Sequence, residues 1–446
     1  MKAWARATLD DVCCLVTDGT HHSPANVTRG EYRYVTAKNI RPWGLDLTDM
    51  TYVDAQTHRE IYARCPVEFQ DVLYIKDGVT TGIAALNTLH EPFSMLSSVA
   101  LLKPDRRVLN PRYLKHWLNS PVAFSSMTAG MTGTAIKRLV LRQIRAAEMP
   151  IAPLNEQQRI ADRLDTVLAR VDACRDRLDR VAPLLKRFRQ SVLAAATSGR
   201  LTEDWRTTYK ASTWTATEIQ SVAEVGTGST PLRSNSDFFA ATGTPWITSG
   251  ATSQSYVTSA QEFVTSAAIK AHRLKVYPPG TLLVAMYGEG KTRGQVTELS
   301  IAATINQACA AVRVDQNLAR AAYVKLALQA NYLEMRELAE GGNQPNLNLS
   351  KVKEFALKLP CLDEQAEIVR RVETLFAVAD RLEASLAQAR AAVDRLTPSL
   401  LAKAFRGELV PQDPTDEPAA DLLKRLAAQC TAAAPKVRKP RQGQPA

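Results

Sequence analysis

The seven cysteines include no CxxC pair, and no run of about 18 apolar residues occurs anywhere. The first absence is typical of reduced, cytosolic thiols rather than a disulfide scaffold. The second excludes a membrane-spanning helix. The first dozen residues carry acids and no long apolar stretch, so we expect neither export nor membrane insertion. The histidines show no metal-ligand spacing, so we expect a cytoplasmic protein without a metal site.

Three segments resemble catalytic motifs, and each lacks an essential part. AMYGEGKT (285–292) has nearly the spacing of a phosphate-binding loop, but Ala285 stands where its first glycine belongs. Glu289 and Lys291 form the Glu-x-Lys half of a nuclease signature without its Pro-Asp. YPPG (277–280) resembles an amino-methyltransferase motif, but Tyr277 offers the target amine no carboxamide or carboxylate. The sequence therefore favours a protein without an active site.

Length and charge are compatible with a large DNA-binding protein. A chain of 446 residues is long enough for two or three domains, each with its own core. Its 56 Lys and Arg against 45 Asp and Glu give a net charge of +11, which favours a polyanionic partner. Many basic proteins bind no nucleic acid, so charge alone does not identify the partner.

The chain contains an internal repeat. Residues 153–201 align without a gap with residues 361–409, so that Glu156-Gln157 meets Glu364-Gln365 and Gly199 meets Gly407. Each copy carries apolar residues at alternating steps of four and three, the a/d pattern of a coiled coil. The two series are Ile160, Leu164, Val167, Val171, Cys174, Leu178, Val181, Leu185, Phe188, Val192 and Ile368, Val372, Leu375, Ala379, Leu382, Leu386, Ala389, Val393, Leu396, Leu400.

Each repeated segment predicts a long helix, a rod of roughly 60 Å for about 40 residues. Asn155 and Asp363 are predicted N-caps, and Gly199 and Gly407 are predicted stops. Pro183 and Pro398 lie inside the pattern and predict a kink or a break in each helix. Two such helices in one chain can pair antiparallel and bury their apolar seams.

The segments before the two helices also correspond. Trp4 matches Trp214 and Tyr113 matches Tyr323, while RYVTAKNI (33–40) resembles PWITSG (245–250) and DVLYIKDG (71–78) resembles TLLVAMYG (281–288). Short β-rich runs with turn residues between them, and short helices at 112–120 and 322–330, predict two similar mixed domains of the α+β class. The predicted organisation is domain 1–152, helix region 153–202, domain 203–359, helix region 360–410 and a partly disordered tail 411–446 with one amphipathic helix.

The repeated segments resemble a known family. LNEQQRI and LDEQAEI, followed by SVLAAATSGRL and SLLAKAFRGELVPQDPTDEPA, are similar to the repeated regions of type I restriction-modification specificity subunits. The resemblance covers nearly the whole chain, and the duplicated helices are its specific part. It implies a non-catalytic subunit whose two recognition domains each read one half of a split target in double-stranded DNA.

The resemblance also implies partners. Two methyltransferase subunits would carry S-adenosylmethionine, and two restriction/translocase subunits would use ATP and Mg, with no cofactor on this chain. The paired helices would dock the methyltransferase subunits and fix the unread spacer. A rigid rod suits that role, because half-sites on one face of B-DNA lie about 34–36 Å apart or a multiple of it.

Polar and basic loop residues are the predicted DNA contacts, because such side chains can reach base edges and phosphates. In the first domain they are Thr20, Thr36, Lys38, Asn39, Arg41, Lys76, Thr80, Thr81, Thr132, Thr134 and Lys137. In the second they are Thr230, Thr248, Ser249, Lys291, Thr292, Arg293, Asn343, Gln344 and Asn346. Each can instead be an ordinary solvated turn residue.

Two other functions remain open at this point. A coiled-coil scaffold whose globular domains bind proteins rather than DNA would show the same repeat. A nuclease or methyltransferase in its own right is disfavoured by the incomplete motifs.

Overall fold

The computed structural model describes residues 3–128, 138–287, 292–332 and 347–433. The chain divides into two compact units. Unit 1 comprises Met1–Leu178 and Gln388–Ala446, and unit 2 comprises Asp179–Ala387. Each unit therefore contains one globular domain and a part of each long helix.

The globular domain of unit 1 is a mixed domain of short strands and helices. Its strands are β1 (Ala5–Thr8), β2 (Cys13–Asp18), β3 (Tyr32–Val35), β4 (Ile40–Arg41), β5 (Gly44–Leu45), β6 (Thr51–Val53), β7 (Val72–Ile75), β8 (Ala84–Leu86), β9 (Ser94–Met95), β10 (Val99–Pro104) and β11 (Glu148–Ile151). Its helices are α1 (Leu9–Val12), α2 (Ala55–Arg64), α3 (Pro111–Leu118), α4 (Pro121–Thr128) and α5 (Leu141–Arg145). The long helix α6 (Leu154–Thr197) follows.

The globular domain of unit 2 has corresponding elements. Its strands are β12 (Thr215–Glu218), β13 (Ala223–Thr227), β14 (Phe239–Ala240), β15 (Thr244–Ile247), β16 (Tyr256–Val257), β17 (Glu262–Val264), β18 (Leu282–Ala285), β19 (Val296–Leu299), β20 (Thr304–Ile305), β21 (Cys309–Val314) and β22 (Ala356–Leu359). Its helices are α7 (Glu203–Tyr209), α8 (Ile219–Val222), α9 (Ser266–His272), α10 (Ala321–Ala330) and α11 (Leu349–Lys353). The second long helix, α12 (Leu362–Phe405), and the helix α13 (Ala419–Ala433) complete the described chain.

The two domains share one strand order. The order β2-β10-β7-β8 in unit 1 corresponds to β13-β21-β18-β19 in unit 2, and β6-β3-β9 corresponds to β17-β15-β20. In both, the first strand pairs antiparallel with the last strand before the long helix, as β1 with β11 and β12 with β22. Strands β7 and β18 are buried at every position, which explains their continuous apolar sequences. The predicted repeat of mixed domains is confirmed.

The long helices pair antiparallel within each unit. In unit 1, Arg175 of α6 lies 3.5 Å from Asp394 of α12, and Ile160 shares a core with Leu401. In unit 2, Arg189 donates to Asp380 at 2.5 Å, and Val192 shares a core with Ile368 and Val372. Early residues of α6 thus meet late residues of α12 in unit 1, and late residues of α6 meet early residues of α12 in unit 2.

The predicted seam is buried along one row of the pair. Ile160, Leu164, Val171, Leu185, Ile368, Val372 and Leu386 are buried, and Leu178, Leu375 and Val393 are partly buried. Leu382 departs from the prediction because it is 51% exposed, and Cys174 is also exposed. The buried residues recur every seventh position, as Val372, Ala379 and Leu386 show. A pair of helices buries only the side chains directly between them. The other row of the a/d pattern, which includes Leu382 and Cys174, therefore lies at the edge of the contact and is partly open to solvent.

The helix boundaries correct two expectations, a break at each proline and an N-cap at Asn155 and Asp363. Both helices run through Pro183 and Pro398 without a break. Each proline removes one backbone N–H donor, but the buried Leu185 and Leu401 that follow hold the next turn in place. Asn155 and Asp363 lie inside the first turn rather than at the N-cap, because the helices begin at Leu154 and Leu362.

The other helix ends agree with the sequence. Gly199 and Gly407 have φ values of 82° and 73°, the left-handed backbone that ends a helix and favours glycine. In the tail, α13 lies where the amphipathic pattern predicts a helix, and it buries Ala419 and Leu422 against the core of unit 1. Among the described helices, none combines the length and apolar character needed to cross a membrane.

Candidate nucleic-acid interface

A threonine lies just beyond the first sheet strand in both domains. Thr20 comes after β2, directly behind Gly19, and Thr230 comes after β13, with Ser229 between it and Gly228. Both glycines approach a neighbouring strand closely. A Cβ on Gly19 would lie 1.9 Å from the Met95 carbonyl oxygen, and one on Gly228 would lie 1.7 Å from that of Ile305. Only glycine allows this approach. The Thr20 N–H donates to the Met95 carbonyl at 2.9 Å, and the Thr230 hydroxyl donates to Gln307.

A one-turn 3-10 helix follows β3 and β15 in the same way. It spans Ala37–Asn39 in unit 1 and Ser249–Ser253 in unit 2, with Thr36 and Thr248 as N-caps. The Thr36 hydroxyl accepts the Lys38 N–H at 3.3 Å, and the Lys38 side chain is exposed. Thr248 and Ser249 are partly exposed. The structure therefore presents Lys38 to solvent, beside a turn that recurs in the second domain.

Two predicted contacts have inward-facing side chains. Asn39 is buried, and its amide donates to the Asp46 carbonyl at 3.2 Å, so it shapes the loop. Lys76 is only 4% exposed, and its ammonium lies 3.2 Å from the buried Asp18 carboxylate. Sequence cannot reveal this pairing, because Asp18 and Lys76 are brought together by the sheet.

Of the predicted contacts of unit 1 that the structure describes, the others lie on the surface. Arg41 is partly exposed and forms an ion pair with Asp46 at 3.3 Å. Thr80 is exposed at the turn after β7, and the Thr81 hydroxyl donates to the Gly78 carbonyl at 2.7 Å within that turn. In unit 2, Thr292 and Arg293 are partly exposed. Thr132, Thr134, Lys137, Lys291, Asn343, Gln344 and Asn346 lie outside the described residues.

Arg64 is a basic residue that sequence reasoning missed. It ends α2, and its Nη2 donates to Asp18 at 2.7 Å and lies 3.1 Å from His21 Nε2. The sequence offered one indication of a charged cluster here, because His21 lies close to Asp18 in the same segment. Arg64 is distant from both in sequence, so no local pattern indicates it.

The repeated Glu-Gln pair joins each domain to its long helix. Trp4 Nε1 donates to Glu156 at 3.0 Å, and Trp214 Nε1 donates to Glu364 at the same distance. The neighbouring glutamines accept a backbone N–H from the same domain, at 2.8 Å for Gln157 and 2.7 Å for Gln365. All four of these Glu and Gln side chains are buried. The repeat therefore preserves a joint between domain and helix.

In unit 1 an ionic cluster supplements this joint. Arg112 donates to Asp165 of α6 at 2.9 Å, and His116 lies 2.7 Å from the same carboxylate. Burial lowers the pKa of His116. Burial alone would raise the pKa of Asp165, but hydrogen bonds from His116 and Arg112 and the positive charge of Lys115 hold it well below its ordinary value. At neutral pH, therefore, a neutral imidazole faces an ionised carboxylate.

The family model for the type I restriction modification DNA specificity domain matches residues 1–181 and 211–389. The chain belongs to this family. The two matches fall on the two globular domains and on parts of both helices, so this specificity subunit carries two recognition domains.

Named relatives agree. The chain is 27% identical over 445 residues to the type I restriction enzyme StySPI specificity subunit of Salmonella potsdam, covering 96% of each chain. It is 28% identical to the EcoKI specificity subunit of Escherichia coli (strain K12), again over 96% of each. The prediction of a specificity subunit rather than an enzyme is confirmed by these relatives.

Solved structures share the fold. The HsdS subunit from Thermoanaerobacter tengcongensis matches with a TM-score of 0.57 at 17% identity, covering 91% of this chain and 97% of that one. A chain from a structure of complex assembly and conformational transition of the type I R-M system matches with a TM-score of 0.67 at 17% identity, covering 92% and 99%. The predicted α+β fold with a helix pair is confirmed.

Proposed function

We propose that this specificity subunit reads a split target in double-stranded DNA, one half with each recognition domain. The observation that carries the proposal is the internal repeat. Two domains with one strand order place corresponding threonine loops after β2 and β13, and corresponding 3-10 turns after β3 and β15. Two equivalent reading surfaces on one chain suit a target with two halves. The net charge of +11 favours the DNA backbone as partner.

The contacts proposed for DNA are the exposed or partly exposed loop residues. They are Thr20, Thr36, Lys38, Arg41, Thr80 and Thr81 in unit 1, and Thr230, Thr248, Ser249, Thr292 and Arg293 in unit 2. Asn39 and Lys76 support these loops from inside.

The proposal assigns assembly to the long helices. Methyltransferase subunits dock on them, and restriction/translocase subunits join the complex; S-adenosylmethionine, ATP and Mg belong to those partners. Exposed apolar side chains on the helices of unit 2 support this assignment, because large apolar groups at a surface favour a protein partner. They are Leu184, Phe188, Val378 and Leu382.

Selection from random duplexes tests the proposal. The full chain, in complex with its methyltransferase partner, is mixed with random-sequence duplexes, and the retained DNA is sequenced. We expect a consensus of two short halves separated by a gap of fixed length. A continuous consensus, or none, would contradict split reading, and the absence of any consensus would favour a protein-binding scaffold.

A further inference from the structure

A buried carboxylate in unit 1 gathers three basic side chains. Asp18, at the end of β2, accepts from Arg64 Nη2 at 2.7 Å and lies 3.2 Å from Lys76 Nζ and 3.3 Å from His21 Nε2. Asp18 and Lys76 are buried, whereas the Arg64 and His21 side chains are 51% and 47% exposed. One carboxylate faces the guanidinium of Arg64 and the ammonium of Lys76, so the cluster carries a net positive charge, and its exposed part is basic.

Unit 2 builds the same strand arrangement without these charges. Asp18 lies opposite Ala100 of β10, and Thr227 lies opposite Ala310 in the equivalent strand β21. Lys76 directly follows β7, and its N–H donates to the Ser98 carbonyl at 2.9 Å. Met286 directly follows β18, and its N–H donates to the Ala308 carbonyl at 2.8 Å. Thr227 and Met286 therefore occupy the places of Asp18 and Lys76.

The third charge is also replaced. Counted back from the following strand, Leu274 stands where Arg64 does, although α9 ends earlier, at His272. Leu274 is buried in an apolar cluster with Trp246 and Val264. The domain fold therefore forms with threonine, leucine and methionine at the three places where unit 1 has charges.

This difference indicates that the ionic cluster has a purpose other than folding. Removing a carboxylate and an ammonium from water is costly, and apolar replacements of buried ion pairs are often neutral or stabilising. Resting on the proposed function, we propose that Asp18 holds Arg64 and His21 in position to contact one phosphate of the DNA backbone. Thr20 follows Asp18 by two residues, which places this contact beside a predicted DNA loop.

The hydrogen bonds of Arg64 favour a phosphate over a base. Both two-donor edges of a guanidinium include Nη2, and bidentate recognition of guanine needs a complete edge. Arg64 Nη2 already donates to Asp18, and His21 Nε2 occupies the space 3.1 Å from the same nitrogen. Nη1 and Nε bond to no group in the described part of the chain. They offer single donors on separate edges, which suit a phosphate oxygen.

Salt dependence of DNA binding tests the inference. The full chain with Arg64→Ala, in complex with its methyltransferase partner, is titrated against the selected target and against an unrelated duplex at several salt concentrations. The slope of log K against log salt is negative, and one lost phosphate contact reduces its magnitude by about 0.9. Affinity falls by the same factor on both duplexes, and the selected consensus is unchanged.

Two further variants sharpen the test. Arg59→Ala removes an exposed arginine from the same helix, and we expect it to leave the slope unchanged. The triple variant Asp18→Thr, Arg64→Leu, Lys76→Met installs the residues of unit 2, so it keeps the thermal midpoint while lowering the slope as Arg64→Ala does.

Two results overturn the inference. One is an unchanged slope for Arg64→Ala, or a decrease no larger than that of Arg59→Ala. The other is lost selectivity at one base position, which would assign Arg64 to a base. Failure of the unmodified chain to select a split consensus would instead overturn the proposed function, and the slope remains measurable on any duplex.

Discussion

Gln157 and Gln365 show how single side chains fasten a domain to a helix. Gln157 accepts the Asn110 N–H at 2.8 Å and donates to the Val108 and Ala152 carbonyls at 2.9 and 2.8 Å. Gln365 accepts the Arg320 N–H at 2.7 Å and donates to the Pro360 carbonyl at 2.8 Å. Each glutamine, on its helix, thus satisfies backbone groups of the adjoining domain.

Replacing either glutamine by alanine tests this role. Gln157→Ala and Gln365→Ala leave buried backbone groups unpaired, so we expect each to lower the free energy of unfolding by about 1–3 kcal/mol. Urea unfolding of the full chain measures the loss. The matched control is Gln158→Ala, because Gln158 is exposed and its contacts can pass to water; we expect a change within about 0.5 kcal/mol. Equal losses for Gln157→Ala and the control would contradict the assignment.

His116 predicts a pH dependence of stability in unit 1. Its pKa is lowered by burial, while the unfolded chain has the ordinary value of about 6.5. Below that pH the unfolded state binds more protons than the folded state, so stability falls as the pH decreases. In unit 2, Leu326 stands at the position of His116. We therefore compare the thermal midpoint of the unmodified chain with that of His116→Leu, and we expect the difference, unmodified minus variant, to decrease as the pH is lowered from 8 to 5.5. A constant or growing difference would rule out this contribution.

At the residue level, sequence reasoning found local features and missed those that depend on distant partners. Thr36 and Lys38 lie on a short turn that the sequence itself encodes, and the structure presents Lys38 to solvent. Lys76 follows a strand and has the sequence pattern of a loop residue, but sheet pairing places it on Asp18. Arg64 joins the same cluster from α2. Such contacts depend on strand order, which one sequence does not specify.

The long helices show what periodicity predicts at the scale of an element. The four-three pattern identified both helices and their apolar seams. It did not distinguish the buried row from the row at the open edge, because two helices and a larger bundle share that pattern. Leu386 is buried, whereas Leu382, on the same helix, is 51% exposed.

A pair of alanine variants measures this difference. Leu386→Ala removes a buried side chain, and we expect it to lower the free energy of unfolding by about 2–3 kcal/mol. Leu382→Ala removes an exposed one, and its loss is expected below about 1 kcal/mol. Urea unfolding of the isolated full chain gives both values. Losses of equal size would show that both rows are buried in solution.

For the whole molecule, the repeat was the most informative feature of the sequence. It predicted two similar domains and two helices, and the strand orders of units 1 and 2 agree with it. The bases recognised were not predictable, because base preference depends on side-chain positions in loops that differ between the domains. In the loops after β2 and β13, for example, the Thr20 hydroxyl accepts the His22 N–H, whereas the Thr230 hydroxyl donates to Gln307.

The length of the helix pair sets the gap between half-sites if the proposed function is correct. Adding four residues, about one helical turn, to both α6 and α12 lengthens the pair and leaves every recognition loop unchanged. The gap is therefore expected to change while both half-site sequences stay the same.

The most direct measurement maps methylated positions in DNA from cells that carry the methyltransferase partner with either the unmodified or the lengthened chain. The account predicts a split motif in the first case, and in the second the same two halves with a different gap. A continuous motif, or halves that change sequence while the gap stays constant, would contradict it.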